Sequence, residues 1–524
     1  MKRFFERKIV RGGFLVVFAA VYFLYLYFSF SAIPIDSDWA SLNLEAADIL
    51  SGNVLLRGWN FTGATFLFTE IPLYLPGAAL FGVSTASVLL AIALGGALIF
   101  FAGFFLLRRG LSDDSFWLSF FFYAALVGIP TLPLLKNLRA HVGVFILFFP
   151  LIALAERLRR EERVPKGAAA LYFALLALAA ASDLFIVTLF AAPVLVFLGW
   201  TALGEDAPAR RDGWLMGLTA AAAASGKLIE WLYLAAGNTP LNSRAGLAKW
   251  AGETVILDYV RNYIFGSMKL FGASAGETAI FSAASAAVIL KFCVFLAGVG
   301  ILGWTLARFF RRDRTEDFFT TILSLAIVCH GAWVAAGGFS LNMENTLRYY
   351  AFFPYALAVL ILRAAFRSDF FSRKLRGAVS FRTLAIAGCA LIVALTFRLP
   401  STRRVIAPQD RLATFLYESG YTSGYGDFWT ASQTVVSSRN RVVLRALSAE
   451  EGAGKTIRPY LWFNRTDWYD DPNANFIVVN LNQPSMFMSA ETVRNFFGPP
   501  IREKRFDDYL ILEYPKGLNR RFPR

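Results

Sequence analysis

Apolar residues in this chain lie in long unbroken runs rather than in strict alternation. Runs fall near residues 14–33, 84–107, 114–132, 142–156, 168–182, 184–203, 214–235, 282–306, 317–336, 350–366 and 380–398. A helix needs roughly 20 apolar residues to cross the hydrocarbon core of a bilayer. Only helices or closed barrels satisfy their backbone groups in lipid, and continuous runs suit helices. The pattern therefore predicts a polytopic α-helical membrane protein of about eleven transmembrane helices. After Arg398 the pattern changes. The segments Arg441–Leu447, Phe476–Leu481 and Tyr509–Tyr514 read as strands, and Asp470–Asn473 has the chemistry of a turn. Residues 1–399 are thus expected to form a transmembrane domain, and residues 400–524 a soluble α/β domain.

Composition agrees with this division. Of 524 residues, 56% are hydrophobic, above the range usual for a soluble domain. The formal net charge of +15 would by itself suggest a nucleic-acid partner. Its distribution excludes one. Arg3/Arg7/Lys8, Arg108/Arg109, Arg157/Arg159/Arg160, Arg210/Arg211, Arg311/Arg312/Arg314 and Arg373/Lys374/Arg376 all fall between apolar runs and on one side of the predicted topology. The positive-inside rule makes that side cytoplasmic. The basic N-terminus and the length of the first run favour an uncleaved first span over a secretory signal. Cys293, Cys329 and Cys389 sit inside apolar runs and form no disulfide or zinc pattern.

The outward segments are then 34–83, 133–141, a tight turn near Asp183, 237–281, 337–349 and everything after about residue 399. In the first, Trp39, Leu42, Ala46 and Ile49 follow helical spacing while Ser41, Glu45 and Asp48 lie elsewhere around the wheel. This predicts an amphipathic helix resting on the membrane surface. A second such helix is expected over Leu247–Phe265.

Ionisable groups gather in those segments. Ile35-Asp-Ser-Asp-Trp39 places Asp36 and Asp38 directly outside the first span. Asp38 could cap a helix beginning at Trp39, with Asp36 a solvated loop acid, or the pair could supply a general base or metal ligand at the membrane surface. Glu70 precedes the second span, Arg139 and His141 the fourth, and Arg348 the tenth, with Asp183 in the turn between the fifth and sixth. Each has a structural reading on its own. Their repeated placement on one side points to a functional cavity, because ionisable groups near apolar segments are costly. Lys227 and Glu230 are spaced to pair on one helix face. His330 reads as a core polar residue. Gly452-Ala-Gly-Lys-Thr456 imitates the end of a phosphate-binding loop but has Ala449 where the full pattern requires glycine.

The first outward loop resembles that of the GT-C superfamily, the membrane glycosyltransferases that use polyprenyl-phosphate sugars. The likeness rests on Asp36-Ser-Asp38 after the first span, on the helix ending Ile49-Leu-Ser-Gly-Asn53 and continuing to Gly58-Trp59, and on Glu70-Ile-Pro-Leu-Tyr74. The last is similar to the Glu-Lys-Pro-Pro-Leu segment of the lipid A aminoarabinose transferases, without its Lys and one Pro. The plan of many spans followed by an outward domain is also similar to that of the superfamily, which includes the protein O-mannosyltransferases. The likeness covers about forty residues in motif. Many relatives carry a second acid in the second outward loop. Here that loop offers Arg139 and His141, so His141 or Asp183 takes that place, or no second group is needed.

The resemblance implies an inverting glycosyltransferase of a bacterial cytoplasmic membrane. It would move a sugar from a polyprenyl-phosphate donor to an extracytoplasmic glycolipid, polysaccharide or protein. Asp38 or Asp36 would take the acceptor proton. Arg348, with Arg139 and Lys227, would bind the donor phosphate. Glu70, His141 and Asp183 would complete the site, and a divalent metal ion is a further candidate. The rival reading is a multi-span transporter or flippase, but the chain lacks the repeated halves many transporters show. A non-catalytic assembly protein with a partner-binding C-terminal domain is the third.

Overall fold

The computed structural model describes residues 2–138, 140–161, 164–203, 209–237, 239–240, 253–274, 282–313, 317–337, 346–367, 404–449, 456–482 and 488–522, with a few positions between 387 and 400. It divides into two compact units. One comprises residues 1–25, 95–230 and 245–400, the other residues 26–94, 231–244 and 401–524.

Each of the first ten apolar runs coincides with a helix. In chain order these are α1 (Lys2–Ser31), α4 (Thr85–Arg108), α5 (Phe116–Val127), α7 (Val142–Arg160), α8 (Lys166–Ser182), α9 (Ala192–Ala202), α10 (Ala209–Ala235), α12 (Ala283–Phe310), α13 (Phe318–Ala336) and α14 (Phe353–Arg367). Between them lie α2 (Ser37–Leu50), α3 (Ile71–Phe81), α6 (Leu132–Asn137) and α11 (Glu253–Phe271). A five-residue π-helical stretch, Val187–Ala191, leads into α9. The run at 380–398 lies largely outside the described residues, as does the beginning of the expected helix over Leu247–Phe265. Among the described residues, Lys8–Ser31, Thr85–Arg108, Ala284–Phe310, Phe318–Ala336 and Leu347–Arg367 are long and apolar enough to cross a membrane, and several shorter apolar helices accompany them. The protein is an integral membrane protein.

In the helical unit the basic helix ends meet at one pole. Arg363 of α14 is fully buried. It donates to Asp317 through Nε (3.0 Å) and Nη2 (2.9 Å), and through Nη1 to the carbonyls of Leu106, Leu107 and Arg109. These carbonyls, at and just beyond the end of α4, would otherwise lack partners. Arg367 also pairs with Asp317. Arg159 bonds Asp212 at 3.2 Å, and its guanidinium lies over the Phe197 and Phe318 rings. Arg11 pairs with Asp113. Among the described residues, the clusters around Arg108/Arg109, Arg157/Arg159/Arg160 and Arg211 are thus physically together.

The second unit contains a six-stranded sheet of order β5-β4-β3-β7-β9-β8. Its strands are β3 (Ser423–Asp427), β4 (Val443–Ala449), β5 (Ile457–Pro459), β7 (Phe476–Asn480), β8 (Arg502–Phe506) and β9 (Tyr509–Glu513). β3 runs parallel to β4 and β7, and the remaining pairs are antiparallel. The helices α15 (Pro408–Glu418), α16 (Phe428–Ser437) and α17 (Ala490–Phe497) accompany it. A Cβ at Gly424 would come within 2.5 Å of the Phe476 carbonyl oxygen, so glycine is required where β3 meets β7. β4 ends at Ala449, just before the Gly452–Thr456 segment. Among the described residues the next element is the strand β5 rather than a helix, so they lack the strand–loop–helix context of a phosphate loop.

A second, small sheet ties the first loop to the C-terminal region. β1 (Trp59–Phe61) pairs parallel with β2 (Thr239–Pro240) and antiparallel with β6 (Asn464–Arg465). Asn60 and Asn464 begin Asn-X-Thr sequences that would accept glycans if exposed. Both are buried here, and the Asn60 amide donates to the Asn464 carbonyl and the Thr466 hydroxyl at 3.1 Å.

Candidate functional site

The first group of candidates lies in the second unit. Its helix α2 begins at Ser37, and Asp36 is the N-cap: φ −100° and ψ 172° hold its carboxylate so that Oδ1 accepts from the Trp39 amide at 2.9 Å. The cap is therefore Asp36 rather than Asp38. Asp38 sits inside the first turn, 8% exposed. α2 also departs from the expected surface helix. Ser41 and Glu45 of its polar side are fully buried, because α3 and α16 pack over it. The Ser37 hydroxyl donates to the Phe428 carbonyl at 2.7 Å, Ser41 meets Ser432 at 3.1 Å, and Asn43 donates to Ser87 at 2.6 Å.

Glu70 is buried at the start of α3, one turn before Tyr74. Burial raises the Tyr74 phenol well above its ordinary range, and the charges of Asp36, Glu70, Asp38 and Glu45 add to the shift. These four acids therefore lie within electrostatic reach of one ring. Tyr460 is pushed up to about 12 by burial and then by Asp38. Burial, then the charge of Asp48, holds the Glu45 carboxyl well above the usual carboxylate range. Glu45 is 0% exposed, and among the described residues neither of its oxygens has a hydrogen-bond partner. The sequence pattern assigned Glu45 to the wet side of α2. Only the packing of α3 and α16 makes it a buried acid.

The second group lies in the helical unit, at the ends of α7, α8 and α14 opposite their basic termini. His141 caps α7 with φ +64°, a left-handed conformation that costs a non-glycine residue about 1–2 kcal/mol. The cost is offset by what the turn presents. His141 Nδ1 lies 2.5 Å from Asp183 Oδ2, and Asp183 Oδ1 accepts from the Phe185 amide at 3.0 Å. Asp183, the C-cap of α8, thereby orients the imidazole with Nδ1 toward its carboxylate. The His141 ring lies 4.1 Å from Phe185 and 5.5 Å from Tyr349. Arg348 donates from Nη2 to the Tyr349 hydroxyl at 3.1 Å and lies over that ring.

His330 belongs to the same cluster. Its Nε2 donates to the Tyr349 carbonyl at 2.7 Å, and Nδ1 lies 3.0 Å from the Thr188 hydroxyl. It is buried within α13, a core polar residue as expected, but it holds the turn that carries Arg348. The structure thus brings His141, Asp183 and Arg348 together, with both histidines of the chain. Lys227 pairs with Glu230 at 2.5 Å, so its charge is already balanced. Arg139 lies outside the described residues. Among the described residues no group of three or more His, Cys, Asp or Glu side chains is arranged to hold a metal ion. The donor set of the described residues does not fit a metal centre.

No family model matches the chain, and no curated protein matches it. Among solved structures the fold is similar to that of ArnT. The chain aligns with ArnT from Cupriavidus metallidurans bound to undecaprenyl phosphate at TM-score 0.53 and 12% identity, over 96% of this chain and 98% of that one. The apo structure of the same protein aligns at TM-score 0.49 and 13% identity, over 98% of this chain and all of the other.

Proposed function

We propose that this protein is an inverting glycosyltransferase that takes a sugar from a polyprenyl-phosphate donor and passes it to an extracytoplasmic acceptor. The observation that carries the reading is the near full-length likeness to ArnT, a structure whose bound ligand is a polyprenyl phosphate. The acids after the first span and the His141–Asp183 pair support it. In this reading the membrane contains about eleven spans, the N-terminus is cytoplasmic, residues 400–524 are extracytoplasmic, and the membrane is a bacterial cytoplasmic one.

Transfer is a single displacement. The acceptor oxygen attacks the anomeric carbon, and its O–H proton passes to Asp38. The bond from that carbon to the phosphate oxygen breaks, and the electron pair leaves on the phosphate. Configuration at the carbon inverts. Asp36 orders the turn that presents Asp38 and is the alternative base. The leaving group is already a stable anion, so positive charge serves it better than a strong acid. Arg348 supplies that charge through a planar fork that suits a phosphate; Arg139 is a lesser contributor, and Lys227 joins only if it gives up its Glu230 partner. His141, oriented by Asp183, is the second acid–base group of the reading, and Glu70 a further one.

The test is sugar transfer from a polyprenyl-phosphate donor by the purified full chain. Asp38→Asn should lower kcat by about 10²–10⁴-fold. Full activity in Asp38→Asn, Asp36→Asn and the double variant would overturn the base assignment. Substrate flux across proteoliposomes without any transfer would favour the transporter.

A further inference from the structure

One cation of the helical unit stands apart. Lys291 lies on α12, a helix long and apolar enough to cross a membrane, on the face that also carries Ala287 and Phe295. All three are buried, and Lys291 is only 4% exposed. The opposite stripe, Ile289, Phe292, Leu296 and Val299, is exposed and suits hydrocarbon. The lysine therefore points into the protein. Among the described residues other buried or half-buried cations of this unit pair with carboxylates: Arg363 with Asp317, Arg159 with Asp212, and Lys227 with Glu230. Among the described residues Lys291 has neither a carboxylate within ion-pair distance nor a hydrogen bond.

Its surroundings place the amine. A Cβ at Gly272 would lie 3.2 Å from both Lys291 Cδ and Nζ and 2.8 Å from Thr131 Cγ2. Gly272 has φ +81°, so a glycine both makes the turn after α11 and leaves room for the lysine stem. Thr131 caps α6 and donates to the Leu270 carbonyl at 3.1 Å. α6 and α11 in turn pack on the turn Leu347–Tyr350 that carries Arg348. Lys291 is roughly 12 Å along α12 from its first residue, at a rise of about 1.5 Å per residue. It therefore lies toward the pole that holds His141, away from the basic helix ends.

A buried ammonium is stable when an anion or several acceptors complete it. We infer that Lys291 is a binding residue for the phosphate headgroup of an anionic lipid, a role it takes within the glycosyltransferase reading above. Two features select a lipid over free phosphate. The amine is reached among apolar side chains such as Phe271 and Phe295, whose rings lie 6.2 Å apart, and α12 offers its outer stripe to a hydrocarbon tail. A free, fully hydrated phosphate gains nothing from either.

The experiment measures binding of undecaprenyl phosphate and of inorganic phosphate to the detergent-purified full chain, with Lys291→Met, Lys291→Gln and Lys291→Arg beside the wild type. Losing one charge-assisted bond should weaken lipid binding roughly ten- to a hundredfold in the Met and Gln variants. Arg should stay within a few-fold of wild type, and inorganic phosphate should bind none of them measurably. Without lipid, Lys291→Met should melt at or above the wild-type temperature, because an isosteric apolar group replaces an uncompensated ion. A purely structural lysine would give the reverse. Wild-type lipid affinity in a folded Met or Gln variant overturns the inference and leaves the glycosyltransferase reading intact. Equal displacement by inorganic phosphate overturns the choice of a lipid. A wild-type chain that binds no polyprenyl phosphate overturns both readings.

Discussion

Glu45 shows most directly how burial alters chemistry at a single residue. A carboxylate without partners in a dry site costs several kcal/mol, so the group keeps its proton. Its raised folded value gives a definite sign to the pH dependence. The stability it contributes is fully present below the unfolded carboxylate value of about 4.3. It is lost as the pH rises from there through the folded value, because the folded state binds the proton more tightly. Glu45→Gln removes the titration. The variant should therefore be increasingly more stable than wild type above about pH 5, by roughly 1–3 kcal/mol at about pH 8. Melting temperatures of both proteins across that range are the check. A gap that does not change with pH would show that Glu45 is not a protonated acid in the folded state. Asp38, two helical turns away along α2, keeps 8% exposure and a place in the first turn. That contrast is why the proposed mechanism takes Asp38 rather than Glu45 as the base.

At the scale of elements, helix ends decide where function can sit. α7 runs from a left-handed histidine at one end to Arg157, Arg159 and Arg160 at the other. α14 runs from the turn that carries Arg348 to Arg363 and Arg367. Each helix therefore links an anchoring pole to a chemical pole. Arg363→Met should test the anchor. It strips five hydrogen bonds and should cost about 3–5 kcal/mol, read as a lower melting temperature in detergent. The rate per folded molecule should hardly change, because Arg363 lies at the pole away from His141. A large loss of kcat at full stability would refute that separation. Much of this was legible beforehand: the apolar runs named the helices, and the basic clusters named the shared pole. The pairing of His141 with Asp183 was not legible. They lie 42 positions apart, and their meeting depends on how α7 packs on α8.

At the scale of the whole molecule, residues 401–524 share a compact unit with the first loop. α16 covers α2, β6 pairs with β1, and Arg465 grips Asp48 at 2.9 and 3.0 Å. The C-terminal region thus completes the fold of the segment that carries Asp36, Asp38 and Glu70. Deleting residues 401–524 should leave a membrane-inserted chain in which residues 37–70 become sensitive to protease and transfer is lost. Resistance of that segment in the truncated protein would mean that it folds without the C-terminal sheet.

The sequence by itself determined the membrane class, the positions of the helices, the common side of the basic clusters and the strands of the C-terminal region. Those follow from local periodicity and from the cost of placing backbone and charge in lipid, which each segment meets largely alone. Only the tertiary structure decided that Asp36 rather than Asp38 caps α2, that Glu45 is dry, that His141 and Asp183 form a pair, and that Lys291 faces inward without a counter-ion among the described residues. Burial and partnership are properties of packed surfaces. They come from segments far apart in the chain, and no local pattern records them.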